Sequence, residues 1–350
     1  MPKVLMKGNE AFGEGAIRAG CRCTFAYPIT PQSELTHFLA RRLPEIGGVF
    51  VQAESEVSAI NMVYGAAAAG ARVLTSTSSP GISLMQEGLS YIAGARLPCV
   101  VVNVMRGGPG LGNIAPAQGD YWQAVKGGGH GDYRLIVLAP ASVPEIIALM
   151  ELAFDLADKY RNPVMVVGDG VLGQMMEPVE LESGEIRTAP EKPWATTGQG
   201  DRPQRNVINS LHIVPEDNER FNLDQAAVFA EIRRREQRSE EYRTEDAELV
   251  LMAFGTVARV AKAAVDRARA RGIRAGLIRP ITLWPFPDES VRRAAAQAQQ
   301  FLVVEMNLGQ MLEDVRLSVN GKRPVHFYGR PGGTVPTVRE ILDEVSRIMG

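Results

Sequence analysis

Four short stretches of the 350-residue chain carry side chains suited to chemistry. Tyr27-Pro28-Ile29-Thr30-Pro31-Gln32-Ser33-Glu34 sets a hydroxyl between two prolines, whose fixed φ makes a rigid turn. Glu54-Ser55-Glu56 places two carboxylates at the start of a run of small residues. Thr75-Ser76-Thr77-Ser78-Ser79-Pro80-Gly81 is rich in hydroxyls, and Met105-Arg106-Gly107 puts one cation at the end of the most apolar segment. A guanidinium suits a planar carboxylate through paired hydrogen bonds. A positioned carboxylate suits proton transfer, and fixed hydroxyls suit a carbonyl oxygen. Each stretch also has a structural reading: Thr30 holds a turn, Glu56 complements a helix dipole, Thr77-Ser78-Ser79 cap the next helix, and Arg106 pairs with an acid. What favours function is their coincidence at one predicted sheet edge.

That edge follows from the elements that position them. Residues 1–180 alternate helix-like and strand-like segments. Strands are predicted at Thr24–Tyr27, Arg72–Thr75, Cys99–Met105, Leu135–Leu138 and Pro163–Val167. Helices are predicted at Asn9–Ala19, from Ser55 to Ala69, at Met85–Ala95, and from a Ser142–Glu145 capping box to Lys159. This spacing implies a doubly wound parallel sheet, which binds ligands at the carboxyl ends of its strands. Between about Glu180 and Asp246 the texture changes, and a very charged helix is predicted at Leu223–Tyr242, read as a solvated connector. The α/β pattern restarts at Leu249–Phe254. It continues through a helix at Val257–Arg271, strands at Ala275–Arg279, Phe301–Glu305 and Pro324–Tyr328, and a last helix at Thr337–Met349. The expected organisation is therefore residues 1–185, a 186–246 linker with a charged helix, and a smaller α/β unit at 247–350.

Composition excludes several classes. Lys plus Arg number 38 and Asp plus Glu 40, so there is no electrostatic footprint for nucleic acid or an anionic membrane. No apolar run approaches the ~20 residues of a membrane span, and the Met1-Pro-Lys-Val start reads as neither signal nor transit peptide. Three cysteines fit a reducing, cytoplasmic setting and are too few for a cubane iron–sulfur cluster on this chain alone. No metal site is expected. The glycine-rich stretches at Gly107–Gly112 and Lys126–Asp132 lack dinucleotide and Walker spacing. Gly168-Asp169-Gly170 begins like a thiamine diphosphate metal motif, but the asparagine expected about thirty residues on is missing around Trp194–Gly200. Asp169 therefore reads as a strand-end turn residue.

With these motifs the sequence resembles the 2-oxoacid:ferredoxin oxidoreductases, over nearly the whole chain. The carriers are Gly8-Asn-Glu-Ala11, Tyr27-Pro-Ile-Thr-Pro31, Ala53-Glu-Ser-Glu-Val57, Ser79-Pro-Gly-Ile-Ser-Leu-Met-Gln-Glu87, Asn103-Val-Met-Arg-Gly-Gly-Pro109, Gly129-His-Gly-Asp132 and, later, Arg279-Pro-Ile-Thr-Leu-Trp-Pro-Phe-Pro287. The likeness is to the α subunit of the multi-subunit enzymes, most of all the branched-chain, 2-oxoisovalerate type. It implies an α/β fold with a thiamine diphosphate pyrimidine-binding domain followed by a transketolase C-terminal-like domain. It implies oxidative decarboxylation of a 2-oxoacid with coenzyme A, giving acyl-CoA, carbon dioxide and reduced ferredoxin.

Under that resemblance Glu56 hydrogen-bonds the aminopyrimidine, Thr30 contacts the substrate keto group and Arg106 holds the substrate carboxylate. Tyr27, Pro28, Ile29, Thr77, Ser78 and Ser79 line the cofactor, with His130 as a neighbour. The cofactor is shared: a β subunit is expected to hold the diphosphate and Mg²⁺. Iron–sulfur clusters are expected on β and on a ferredoxin-like δ subunit, with a γ subunit completing the complex. Other readings are the same chemistry on 2-oxoglutarate or pyruvate, a transketolase or dehydrogenase E1 β-type subunit, and a non-catalytic scaffold.

Overall fold

The computed structural model describes residues 3–181 and 186–350. The boundary expected at residue 185 and the Met1-Pro2 start lie outside the described residues. The first unit contains β1 (Lys3–Lys7), α1 (Gly8–Arg18), β2 (Cys23–Ala26), α2 (Ser33–Glu45), β3 (Val49–Gln52), α3 (Glu56–Ala68) and β4 (Val73–Thr77). It continues with α4 (Pro80–Gly94), β5 (Val100–Met105), α5 (Tyr121–Lys126), β6 (Ile136–Leu138), α6 (Val143–Tyr160), β7 (Val164–Asp169), α7 (Gly170–Gln174) and β8 (Met176–Glu180). Next come α8 (Pro215–Arg235) and β9 (Ser239–Tyr242). The second unit follows: β10 (Leu249–Met252), α9 (Gly255–Arg269), β11 (Ala275–Pro280), β12 (Thr282–Trp284), α10 (Asp288–Gln297), β13 (Gln300–Glu305), α11 (Met311–Val319), β14 (Val325–Gly329) and α12 (Val338–Met349).

The large sheet has the strand order β12-β6-β7-β5-β4-β2-β3. Its six strands from the first unit are parallel, and β5, all valine, asparagine and methionine, is buried along its whole length. Such a strand needs cover on both faces. Helices α3 and α4 supply it on one side, packed closely because Gly88 offers no side chain to Ile60. Helices α1 and α6 cover the other side. Ser55 caps α3 by accepting from the Ser58 N–H at 3.2 Å, and Ser142 caps α6. The start of α4 lies five residues ahead of its expected place, because Pro80 occupies the first helical turn.

Two departures concern the linker. Helix α8 spans Pro215–Arg235, not Leu223–Tyr242, and the tail of the expected helix is β9, paired antiparallel to β11 in a second sheet of order β14-β13-β10-β11-β9. In return β12, from the later part of the chain, pairs antiparallel with β6 and closes the first sheet. The two units also share a seam along residues 113–126. Gln118 donates from its side chain to the Phe254 carbonyl at 2.9 Å and accepts from the Met306 N–H at 3.1 Å. The Tyr121 hydroxyl donates to Asp314 at 2.7 Å, and its ring packs on Phe254 in one continuous apolar core. Among the described residues no helix is long and apolar enough to cross a membrane.

Candidate active site at the sheet edge

The four motifs leave four adjacent parallel strands, β5-β4-β2-β3, at the same edge. Strand β2 runs into the Tyr27–Pro31 turn, β3 into Glu54–Glu56, β4 into Ser78–Ser79, and β5 into Arg106. The N-termini of α3 and α4 face that edge, so their dipoles add positive potential there.

Arg106 is 8% exposed. Its Nη1 donates to the Thr30 carbonyl at 2.9 Å, and its Nη2 reaches the Leu111 carbonyl at 3.5 Å. Its backbone N–H donates to Ser79 Oγ at 3.0 Å. The buried Nε has no hydrogen-bond partner among the described residues. Arg72 and Arg279 are buried to the same degree, yet each pairs with two carboxylates, Asp155 and Asp158 or Glu145 and Glu240. Among the described residues Arg106 makes no ion pair with a carboxylate within 4.0 Å. A buried charge normally has such a partner, so this guanidinium is suited to an incoming anion.

The two acids of Glu54-Ser55-Glu56 divide. Glu54 is exposed and accepts from the Ser58 hydroxyl at 2.6 Å. Glu56 is buried and lies against the first turn of α4: a Cβ on Gly81 would stand 2.7 Å from Glu56 Oε1 and 2.0 Å from Thr77 Oγ1. Only glycine leaves room for that carboxylate. Beside it the Thr77 hydroxyl, and on the same strand and its end the hydroxyls of Thr75 and Ser78, are buried with no hydrogen-bond partner among the described residues. Buried polar atoms of this kind call for an external polar partner. An aminopyrimidine, with ring nitrogens and an exocyclic amine, has the complementary donors and acceptors, so these residues fit the pyrimidine half of thiamine diphosphate.

Thr30 is exposed, and the structure brings its carbonyl to Arg106. Tyr27 and Pro28 are exposed and Ile29 half-buried on the same turn. His130 is not brought to this edge. Its carbonyl accepts from Ser90 and its ring meets Tyr91, about 15 Å along α4 from Pro80 at the ordinary helical rise. Asp169 caps α7 by accepting from the Val171 and Leu172 N–H groups at 2.9 and 3.1 Å. Among the described residues no group of three His, Cys, Asp or Glu could hold a metal ion.

One site residue escaped the sequence. Asp120 Oδ2 accepts from Ser79 Oγ at 2.6 Å and from Asn103 Nδ2 at 2.9 Å. Burial raises its carboxyl above the usual range, against the pull of those hydrogen bonds and the nearby Arg106 charge. Its only signal was an aspartate before a helix, a capping position, and it does not cap α5.

Comparison with known proteins gives the family of the chain. Residues 14–242 match the family model described as pyruvate flavodoxin/ferredoxin oxidoreductase, thiamine diphosphate-binding, and residues 247–341 match pyruvate:ferredoxin oxidoreductase core domain II. The chain is 51% identical over 350 residues to ketoisovalerate oxidoreductase subunit VorB of Methanothermobacter thermautotrophicus, covering 100% of this chain and 99% of that one. It is 38% identical to 2-oxoglutarate synthase subunit KorA of the same organism, covering 98% of each. A solved 2-oxoglutarate:ferredoxin oxidoreductase from Magnetococcus marinus, with 2-oxoglutarate, coenzyme A and succinyl-CoA bound, superposes with a TM-score of 0.90 at 29% identity. The match covers 99% of this chain and 65% of that longer one. A split-gene transketolase, 14% identical with a TM-score of 0.62, covers 98% of this chain and 97% of its own and shares the fold alone.

Proposed function

The chain belongs to the 2-oxoacid:ferredoxin oxidoreductases, thiamine diphosphate-dependent enzymes of several subunits, and on that premise we propose that it is the α subunit of a branched-chain 2-oxoacid enzyme. The observation that carries the site assignment is the buried Arg106, whose guanidinium meets backbone carbonyls and, among the described residues, makes no ion pair within 4.0 Å. Its remaining N–H groups, Nε among them, bind the substrate carboxylate bidentately. Thr30, on the turn that Arg106 touches, offers its hydroxyl to the keto oxygen, and Tyr27, Pro28 and Ile29 wall the cofactor side. Glu56 accepts a hydrogen bond from the aminopyrimidine ring and holds the proton balance there, while Thr77, Ser78 and Ser79 line the ring. Thiamine diphosphate, when bound, supplies the carbon nucleophile. The preference for a branched-chain acid such as 2-oxoisovalerate is supported by the 51% identity to a ketoisovalerate oxidoreductase subunit, against 38% to a 2-oxoglutarate synthase subunit.

The diphosphate and Mg²⁺ belong to a β subunit in this reading. Leu111 and Ile114, on the loop after Arg106, are 83% and 65% exposed, apolar side chains that a partner would cover. Iron–sulfur clusters on β and δ, a γ subunit and coenzyme A complete the reaction, with ferredoxin as acceptor and the cytoplasm as its place. A transketolase or E1 β-type role is less well supported, since that likeness stands at 14% identity. The test is Glu56→Ala in the complex co-purified with its partners, assayed by oxoacid-dependent viologen dye reduction over a panel of 2-oxoacids. Loss of a positioned acid–base group lowers turnover by about 10²–10⁴-fold. Turnover within a few fold of wild type sinks the Glu56 assignment, and a panel that favours 2-oxoglutarate or pyruvate sinks the substrate assignment.

A further inference from the structure

We infer that Asp120 is a positioning residue for Arg106 and that the second unit of the chain sets it through Gln310; the inference rests on Arg106 being the carboxylate clamp. Asp120, Ser79 and Asn103 form a closed ring of hydrogen bonds. Ser79 Oγ and Asn103 Nδ2 both donate to Asp120 Oδ2, and Asn103 Oδ1 accepts the Ser79 N–H at 3.0 Å. The same Ser79 oxygen accepts the backbone N–H of Arg106. The ring therefore locks the end of β4 to the end of β5 at the residue where the guanidinium leaves the sheet. Without Asp120 the Ser79 hydroxyl loses its acceptor and is free to turn toward the Arg106 carbonyl, 3.3 Å away.

The segment bearing Asp120 is held from the other side. The Gln310 side-chain amide donates to the Gly119 carbonyl at 2.7 Å and accepts from the Trp122 N–H at 2.9 Å, so one side chain brackets Asp120 before and after. Docking of the two units is already secured by Gln118 and by the Tyr121–Asp314 contact. Docking alone does not require a buried acid linked to the arginine's own backbone. The arrangement gives the second unit a role in substrate binding although it contributes no residue to the clamp.

The experiment compares Asp120→Ala, Asp120→Asn, Gln310→Ala and Arg106→Ala in the co-purified complex, by steady-state viologen reduction against the 2-oxoacid. Asp120→Ala raises KM about tenfold or more, the loss expected when a charge-assisted hydrogen bond goes, with kcat within about threefold. Asp120→Asn keeps an acceptor oxygen for Ser79 and recovers most of that loss. Gln310→Ala raises KM in the same direction by less. An unchanged KM in Asp120→Ala, a fall in kcat at constant KM, an Asn variant as poor as the Ala variant, or an unchanged KM in Gln310→Ala overturns the inference. If Asp120→Ala fails to assemble with its partners, the Asn and Gln310 variants decide the matter. Arg106→Ala separates the two layers. An unchanged KM there sinks the clamp itself, whereas a raised KM there with an unchanged one in Asp120→Ala sinks only the positioning role.

Discussion

Gly81→Ala tests the confinement of Glu56 without touching Glu56. The added methyl would stand 2.0 Å from Thr77 Oγ1, 2.7 Å from Glu56 Oε1 and 2.9 Å from Glu56 Cγ. Ordinary contact lies near ~3.5 Å, so something must yield by more than about 1 Å. Thr77 is β-branched, and its side chain is stiff at χ1. The Thr77 contact needs about 1.5 Å of relief and so shifts the first turn of α4 or strand β4, while the Glu56 contacts, at 2.7 and 2.9 Å, displace the more flexible carboxylate side chain as well. For stability, overpacking costs about 1–3 kcal/mol, and replacing a helical glycine by alanine returns up to ~1 kcal/mol. The net cost is roughly 0–3 kcal/mol, a shift of at most several degrees in Tm. For activity, a displacement of about 1 Å at a reacting group costs on the order of 10²-fold. Viologen reduction by the complex should therefore fall about hundredfold while the thermal melt moves by several degrees at most. Activity within twofold of wild type, with an unaltered melt, would refute the reasoning, because the carboxylate would then not depend on the space at Gly81. Adding Thr77→Ala to the variant removes the closest contact and should return part of the activity. No recovery would locate the damage elsewhere.

Two further outcomes follow from single residues. Arg106→Lys keeps the charge but loses the fork, so KM for the 2-oxoacid should rise about tenfold or more, with Arg106→Ala worse still; equal KM values for Lys and Arg would remove bidentate binding from the account. Glu305 is buried and accepts from the Met311 and Leu312 N–H groups and from Asn307, and burial lifts its carboxyl from 4.5 to about 7. An acid raised in the folded state is protonated there between pH 4.5 and 7 while the unfolded chain has already released its proton. Its contribution to stability is thus whole below pH 4.5 and is lost as pH rises through about 7, some 3 kcal/mol in all. Thermal melts from pH 5 to 8 should show a steeper decline for the wild type than for Glu305→Gln, and parallel curves would mean that the carboxyl does not titrate in that window.

The regular elements were largely legible. The capping serines at 55 and 142 start helices where expected, and the apolar run at Cys99 is the central strand. Helices α2, α10 and α11 and strand β3 lie where no element was expected, and two further missed strands share a separate cause. Ser239–Tyr242 and Thr282–Trp284 are three or four residues long, with no apolar alternation, and become strands only because another edge lies beside them. Local propensity does not carry that information, and tertiary pairing overrides it. Asp120 belongs to the same class. Its partners, Ser79 and Asn103, are 41 and 17 residues away, so only the fold assembles the ring.

The candidate clamp arginine shows where sequence reasoning stops. Arg72, Arg106 and Arg279 each lie at a strand or its border, and residue type and strand position alone do not separate a structural cation from a binding one. The fold separates them by what it leaves unpaired. Arg72 holds α6 against the first sheet through Asp155 and Asp158, and Arg279 joins β11 to β9 and α6 through Glu240 and Glu145. Those are closed accounts of charge within the protein. Arg106 is surrounded by neutral carbonyls, and its neighbouring acid, Asp120, is bound to Ser79 and Asn103 in place of the guanidinium. A fold that buries a cation and withholds a hydrogen-bonded carboxylate partner leaves the guanidinium with N–H groups open to an external anion. In the proposed function a substrate carboxylate is that anion, and the adjoining hydroxyls and Glu56 would then set which way the rest of the substrate faces.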